Sequence, residues 1–333
     1  MGNLLNNPKT EKVDCEELDS AATGLLAGAA GMQGWRLEME DAHIVSEMPG
    51  MNNHMLVAVF DGHGGAGAAI YAARHLISVI QATEEWAEYA ASGGQTNVQL
   101  LGNCLQKSFL KIDRDLRKHQ EKDRSDSSGC TAVCALITPD HIICSNAGDS
   151  RCVLGTNGTC VPLSDDHKPY DEGERKRIEA AGGCVQWKRV DGDLAVSRAF
   201  GDFQYKTRPD LPDEQQKVTC FPDIAVHDRT PNDEALIIGC DGVWDVLSSE
   251  EGVGVVNEIF ECGETSMLKV AEELIDVALG KGSRDNISAV VVKMPGAKIG
   301  PAENGGVEKR RYARAAAEEE AASRGDRDQS QNY

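Results

Sequence analysis

Two apolar periods alternate through the middle of the chain, and together they predict an α+β fold. Met55-Leu56-Val57-Ala58-Val59-Phe60 is a short unbroken apolar run, the pattern of a strand buried on both faces. A helix is predicted next, with Ile70, Ala73, Ile77 and Ile80 on its inner face. A second long helix carries Leu101, Leu105, Phe109, Ile112 and Leu116. Residues 131–137 and 141–147, joined by Thr138-Pro139-Asp140, are predicted to form a hairpin, which Cys152-Val153-Leu154 extends into a meander. Residues 235–240 and 287–292 are further strands, and Met267, Val270, Leu274 and Val277 mark a helix between them. Hairpins mixed with long helices predict antiparallel sheet covered by helices. The period alone does not order the layers.

The apolar pattern occupies residues 24–295, which are expected to form one domain. Residues 1–23 are polar and aperiodic and are expected to be an arm. Residues 296–333 run through Gly, Glu, Arg and Ala and are expected to be a charged, disordered tail with no large apolar residue to dock it. Within the domain, residues 172–181 are predicted helical, stopped by Gly182-Gly183. Residues 207–217, with Pro209 and Pro212, are predicted to be a loop. Met1-Gly2-Asn3 offers a glycine for myristoylation, although Asn6 stands where the motif favours Ser or Thr. One acyl chain binds a membrane only marginally, so membrane contact is expected only if Gly2 is acylated.

Composition narrows the function classes. Of 333 residues, 41% are hydrophobic and 26% charged, as in soluble globular proteins. The net charge of −20 argues against nucleic acid and anionic lipid as partners. The 11 Cys include no C-x-x-C pair, and Cys104, Cys134, Cys144 and Cys240 sit in apolar runs as small hydrophobes. With no apolar stretch long enough for a signal peptide or a span, this predicts a cytoplasmic or nuclear protein. A monomer is expected. No G-x-x-x-x-G-K-[ST] loop is present, which argues against a nucleotide hydrolase.

The candidate chemistry lies where apolar runs stop. Asp61-Gly62-His63-Gly64-Gly65 follows one buried strand and Asp241-Gly242 follows another, while Ser283-Arg284-Asp285-Asn286 precedes the last. Rigid strand ends can hold such carboxylates side by side, and a cluster of them repels itself unless cations neutralise it. Hard oxygen donors with few His or Cys suit Mg²⁺ or Mn²⁺ better than zinc. Taken singly, each Asp-Gly pair is more often a turn.

From about Gly31 to Lys293 the chain resembles the PPM family, the type 2C protein phosphatases. The matches come in order: residues 34–42 (Gly-Trp-Arg-Leu-Glu-Met-Glu-Asp-Ala), 60–65, 128–132, 146–151, 166–169, 194–202, 240–245 and 282–286. The resemblance implies an α-β-β-α sandwich of two antiparallel sheets flanked by helices. It also implies hydrolysis of phosphoserine and phosphothreonine in proteins by direct attack of a hydroxide bridging two Mn²⁺ or Mg²⁺ ions. By the same resemblance Asp61 bridges the two ions, Asp241 and Asp285 bind one, and Glu40 and the Gly62 carbonyl bind the other. Asp149 matches a weaker third site, and Asp41 orients water beside the metals. Arg36 matches the residue that binds substrate phosphate, and His63 the general acid. Thr131, Trp35 and Trp244 are expected to be packing residues, and residues 168–187 match the variable flap beside the cleft. The alternative is a catalytically weak binding protein of the same fold, a pseudophosphatase, whose signature would be a lost metal carboxylate.

Overall fold

The structure, a computed structural model, describes residues 4–94, 97–123 and 125–316. In chain order the first strands are β1 (Lys9–Ser20), β2 (Leu25–Gly34), β3 (Ala42–Met48), β4 (Met51–Phe60) and β5 (Gly62–His63). Helices α1 (Gly67–Gln81), α2 (Glu84–Ala91) and α3 (Val98–Lys122) follow. Then come β6 (Gly129–Cys130), β7 (Ala132–Ile137), β8 (His141–Ala147), β9 (Arg151–Thr156) and β10 (Thr159–Pro162). The next segment holds α4 (Glu172–Ala180), β11 (Val185–Gln186), β12 (Arg189–Val190) and β13 (Phe200–Gly201). The chain goes on through β14 (Asp223–Asp228), β15 (Asp233–Gly239), α5 (Asp241–Trp244), α6 (Ser249–Glu261), α7 (Met267–Gly280) and β16 (Ile287–Lys293).

Among the described residues two large antiparallel sheets form, six strands in the order β1-β2-β16-β15-β9-β10 and five in the order β14-β8-β7-β4-β3, beside the small sheets β13-β6-β5 and β11-β12. Their strands carry unbroken apolar runs because both faces are covered. In β15, Leu236 and Ile238 face the other sheet while Ile237 faces the helices. In β7, Val133 and Ala135 face inward while Cys134 and Leu136 meet α1 and α3. Helices α1–α3 cover the five-stranded sheet and α5–α7 the six-stranded one, which gives the α-β-β-α layers.

The structure departs from the sequence reading in three places. The first is the segment read as an arm: residues 9–20 form β1, an edge strand paired with β2 along its length. β2 itself (Leu-Leu-Ala-Gly-Ala-Ala-Gly-Met-Gln-Gly) lacks the bulky pattern of a strand for a packing reason. A Cβ on Gly28 would lie 2.1 Å from the backbone of Leu268, so α7 can settle on β2 only over small residues. Gly2, with its proposed acylation, lies outside the described residues.

The second departure is the inner face of α1. Ala68, Ala69, Ala72, Leu76 and Ile80 are buried there, whereas Ile70 is 40% exposed. Alanines let the helix approach closely and shift the face by a residue or two.

The third is the tail. Residues 306–316 are helical and dock, with Val307 buried in the α6–α7 core. Arg310, Arg311 and Arg314 gather around the fully buried carboxylate of Glu273. Charge, and not a large apolar residue, holds this segment. The rest of the tail, 317–333, lies outside the described residues.

Residues 168–218 form an appendage beside the sandwich. It has its own small core of Ile178, Val190, Val196, Ala199, Tyr205 and Val218.

Candidate active site

Both sheets deliver acidic residues to one end of the sandwich. Glu40 and Asp41 precede β3, Asp61 follows β4, Asp149 lies between β8 and β9, Asp241 follows β15, and Asp285 precedes β16. The backbone at these junctions is pinned. The Thr131 N–H donates to the Asp61 carbonyl at 2.9 Å, and β5 pairs with β6. Asn286 donates its amide to the carbonyls of Gln33 and Glu38, both at 2.9 Å, and accepts from the Glu40 N–H. The loop bearing Arg36 and Glu40 is thereby tied to the base of β16. Gly62 is forced, because an added Cβ would lie 2.1 Å from the Glu40 carbonyl oxygen. Gly148 turns at φ 133°, where a Cβ would strike Thr131.

The electrostatics are those of crowded like charges. Burial, then Asp241, Asp41, Asp149 and Asp285, push the Asp61 carboxyl well above the usual range. Burial, then Asp149 and Asp285, do the same for Asp241. Burial raises Asp41 to about 7 even though the Ser288 hydroxyl donates to its Oδ2 at 2.7 Å. The other Asp41 oxygen, Oδ1, is buried without a hydrogen-bond partner. Two cationic side chains reach the cluster: Arg36 pairs with Asp285, and Lys168 Nζ lies 2.6 Å from Asp149 Oδ2. Glu40 Oε1 accepts from the Gly65 N–H at 2.6 Å.

Among the described residues no three His, Cys, Asp or Glu side chains stand closed around a single point as a ready ligand set. The donor chemistry nevertheless fits divalent cations. All the donors are hard oxygens, the repulsion among them calls for positive charge, and a buried Asp41 oxygen lacks a donor. At Gly62 the backbone is close-packed against that of Glu40, an approach that only glycine allows.

The structure brings together Asp41, Asp61, Asp149, Asp241 and Asp285, with Glu40 and His63 alongside. Arg36 is exposed at the rim, lining with Asp285, Gly242 and Ser283 a cleft of about 400 Å³. His63 Nε2 lies 2.7 Å from Asp202 Oδ2. Burial drives the His63 pKa down, but the hydrogen bond and charge of Asp202, with Asp149 and Glu40, overrule it and leave the imidazole above its ordinary value. Asp202, Lys168 and Asn286 were given no role by the sequence. They sit in quoted motifs, but only the fold shows what each touches. Trp244 is a packing residue that donates to the Gly239 carbonyl at 3.0 Å, and Thr131 is buried against Ser150 at 2.8 Å.

Comparison with known proteins agrees with this geometry. The family model described as protein phosphatase 2C matches residues 26–287. Protein phosphatase ppm-1.A of Caenorhabditis elegans is 39% identical over 89% of this chain and 64% of its own. Human protein phosphatase 1B is 40% identical over 88% of this chain and 61% of its own, so the chain spans somewhat under two thirds of these two relatives. Bovine protein phosphatase 1A is 39% identical over 90% of this chain and 78% of its own. A phosphatase structure from Toxoplasma gondii superimposes with a TM-score of 0.70 at 27% identity, covering 83% of this chain and 94% of that one. Among the described residues no helix is long and apolar enough to cross a membrane. With the sandwich, the ordered motifs and the carboxylate-lined end all in agreement, the chain belongs to the protein phosphatase 2C family.

Proposed function

We propose that this chain is a metal-dependent protein serine/threonine phosphatase whose catalytic unit is residues 24–295 together with the preceding edge strand. The observation that carries the reading is the convergence of carboxylates from both sheets beside Arg36 and His63. Asp61, Asp241, Asp285, Glu40 and the Gly62 carbonyl would hold two Mn²⁺ or Mg²⁺ ions, with Asp149 serving a weaker third. When bound, the cations supply a water of lowered pKa as the nucleophile. Asp41, held by the Ser288 hydroxyl on one oxygen, would offer its free oxygen as a hydrogen-bond acceptor beside the cations.

The planar fork of Arg36 binds two phosphate oxygens, exchanging its partner Asp285 for the substrate. The attack is direct, on phosphorus, with no phosphorylated side chain. His63, kept protonated by Asp202, gives its proton to the departing serine or threonine oxygen. The test is hydrolysis of a phosphothreonine peptide with Mn²⁺ or Mg²⁺, and again with EDTA. Release of phosphate that requires the cation supports the reading. Folded protein that releases none with any divalent cation overturns it.

A further inference from the structure

The five-stranded sheet ends at β14, and among the described residues no strand pairs with the outer side of β14. The Arg229 N–H, just beyond the strand, donates to the Asp140 carbonyl at 2.8 Å, on the β8 side. Antiparallel ladders alternate, so the N–H and C=O groups of Ile224, Val226 and Asp228 point away from β8. No described residue supplies them with a partner. Free strand edges are ordinarily blunted by lysine, by proline or by a covering segment. The middle of β14 is Ile224-Ala225-Val226 instead, and Val226 is 45% exposed.

A groove of about 660 Å³ runs along this edge, and its two walls differ. On the outer face of the sheet the first turns of α3 bring Val98 and Gly102 up to Ile224. A Cβ on Gly102 would lie 3.3 Å from the Ile224 side chain, so this wall is close and apolar. Asn146 follows Ile142 and Cys144 on the inner face of β8, and with Asp165 it lines the other wall beside Ala225. The Asn146 Nδ2 donates to the carbonyls of Gly148 and Asp165, at 3.1 and 2.8 Å, which fixes the amide's orientation. Its Oδ1 is therefore an acceptor, and it is buried with no hydrogen-bond partner in a residue only 2% exposed. Arg198 holds one oxygen of Asp223, whereas the exposed Asp165 carboxylate has no cationic partner among the described residues. No lysine or arginine is among the described residues that line the groove.

We propose that the β14 edge takes up an extended segment of a partner protein as a sixth, antiparallel strand, its residues alternately apolar and basic. The inference goes beyond the phosphatase reading and does not depend on it. Main-chain hydrogen bonds to Ile224, Val226 and Asp228 supply the pairing, and successive side chains of the added strand leave on opposite faces. Apolar ones lie against Val98, Ile224 and Val226, while lysine or arginine on the inner face meets Asp165 and the Asn146 oxygen. A second copy of this chain is a poorer occupant, because two β14 edges paired in register set Asp223 against Asp228.

The probes are fluorescently labelled peptides of alternating valine and lysine, or of alternating valine and glutamate, and binding to the full chain is read by anisotropy. The lysine peptide should bind about tenfold or more tightly than the glutamate peptide. In the antiparallel pairing the valines exchange the hydrogen bonds, so N-methylating them should cost about tenfold and N-methylating the lysines nothing. Residue-resolved hydrogen exchange should show the amides of Ile224, Val226 and Asp228 slowed by the peptide. Asp165→Lys, a change on the surface, should weaken the lysine peptide about tenfold and strengthen the glutamate peptide. Mere attraction to the carboxylate cluster would survive Asp165→Lys, ignore N-methylation and leave the β14 amides unprotected, and that result would overturn the proposal. Protection of the same amides that grows with protein concentration and no peptide would assign the edge to a second copy and overturn it as well. Peptide binding at β14 without phosphatase turnover sustains this inference while the phosphatase reading fails. Turnover with no binding at β14 sinks this inference alone.

Discussion

Asp241 illustrates the conflict built into single residues of the site. Its carboxylate is raised by burial and by Asp149 and Asp285, so the charged form is held at a cost that a cation removes. Asp241→Asn should therefore abolish phosphopeptide turnover, because an amide binds hard cations poorly, yet raise the melting temperature measured in EDTA by a few degrees, about the effect of 1 kcal/mol. Loss of activity with a lowered melting temperature would mean that the residue holds the fold and not an ion. A second residue-scale prediction concerns leaving groups. Removing Asp202 as the partner of His63 by Asp202→Asn should slow phosphopeptide hydrolysis by about tenfold or more and spare an activated aryl phosphate, which needs little protonation. Equal losses on both substrates would remove His63 from the role of acid. At this scale the sequence named the carboxylates through family motifs. It gave no pairing for His63, because Asp202 lies 139 positions away and reaches the imidazole only when β13 pairs with β6.

At the scale of elements, the flap helix α4 is anchored by Glu174. Burial pushes this carboxyl up, but the Arg198 hydrogen bond, the charges of Arg177 and Arg198 and the Ser197 hydroxyl overrule it and bring its pKa down to about 2. A folded pKa below the unfolded one gives stability that is complete above the unfolded value and lost as pH falls through the folded one. Glu174→Gln should thus destabilise the protein by about 3 kcal/mol near neutral pH, and the difference should fade between about pH 4.5 and pH 2. Urea titrations of both proteins across that range check it, and a pH-independent difference would contradict it. The helix was legible in the sequence through its Gly182-Gly183 stop. Its anchoring was not, since Arg198 also bridges to Asp223 at the start of β14, a strand with no clear pattern of its own.

Across the whole molecule, the docked tail links the last described helix to the α6–α7 layer. Ending the chain at Gly305 would strand the buried Glu273 without Arg310, Arg311 and Arg314, a loss on the order of 3–5 kcal/mol for an unpaired buried charge. Calorimetry should show a lower melting temperature, largely restored when Glu273→Gln is added to the truncated chain. No rescue would assign the loss to Val307 packing instead. The sequence by itself determined the strands that are buried on both faces, the amphipathic helices α3 and α7, and the motif order that marks the family. These are written in short-range periods and in residues whose spacing a reader can count. Only the tertiary structure decided that residues 9–20 complete a sheet, that a basic tail docks on a buried glutamate, and that strand ends far apart in sequence share one field. Strand pairing and the summation of charge depend on distances in space, which no local period encodes.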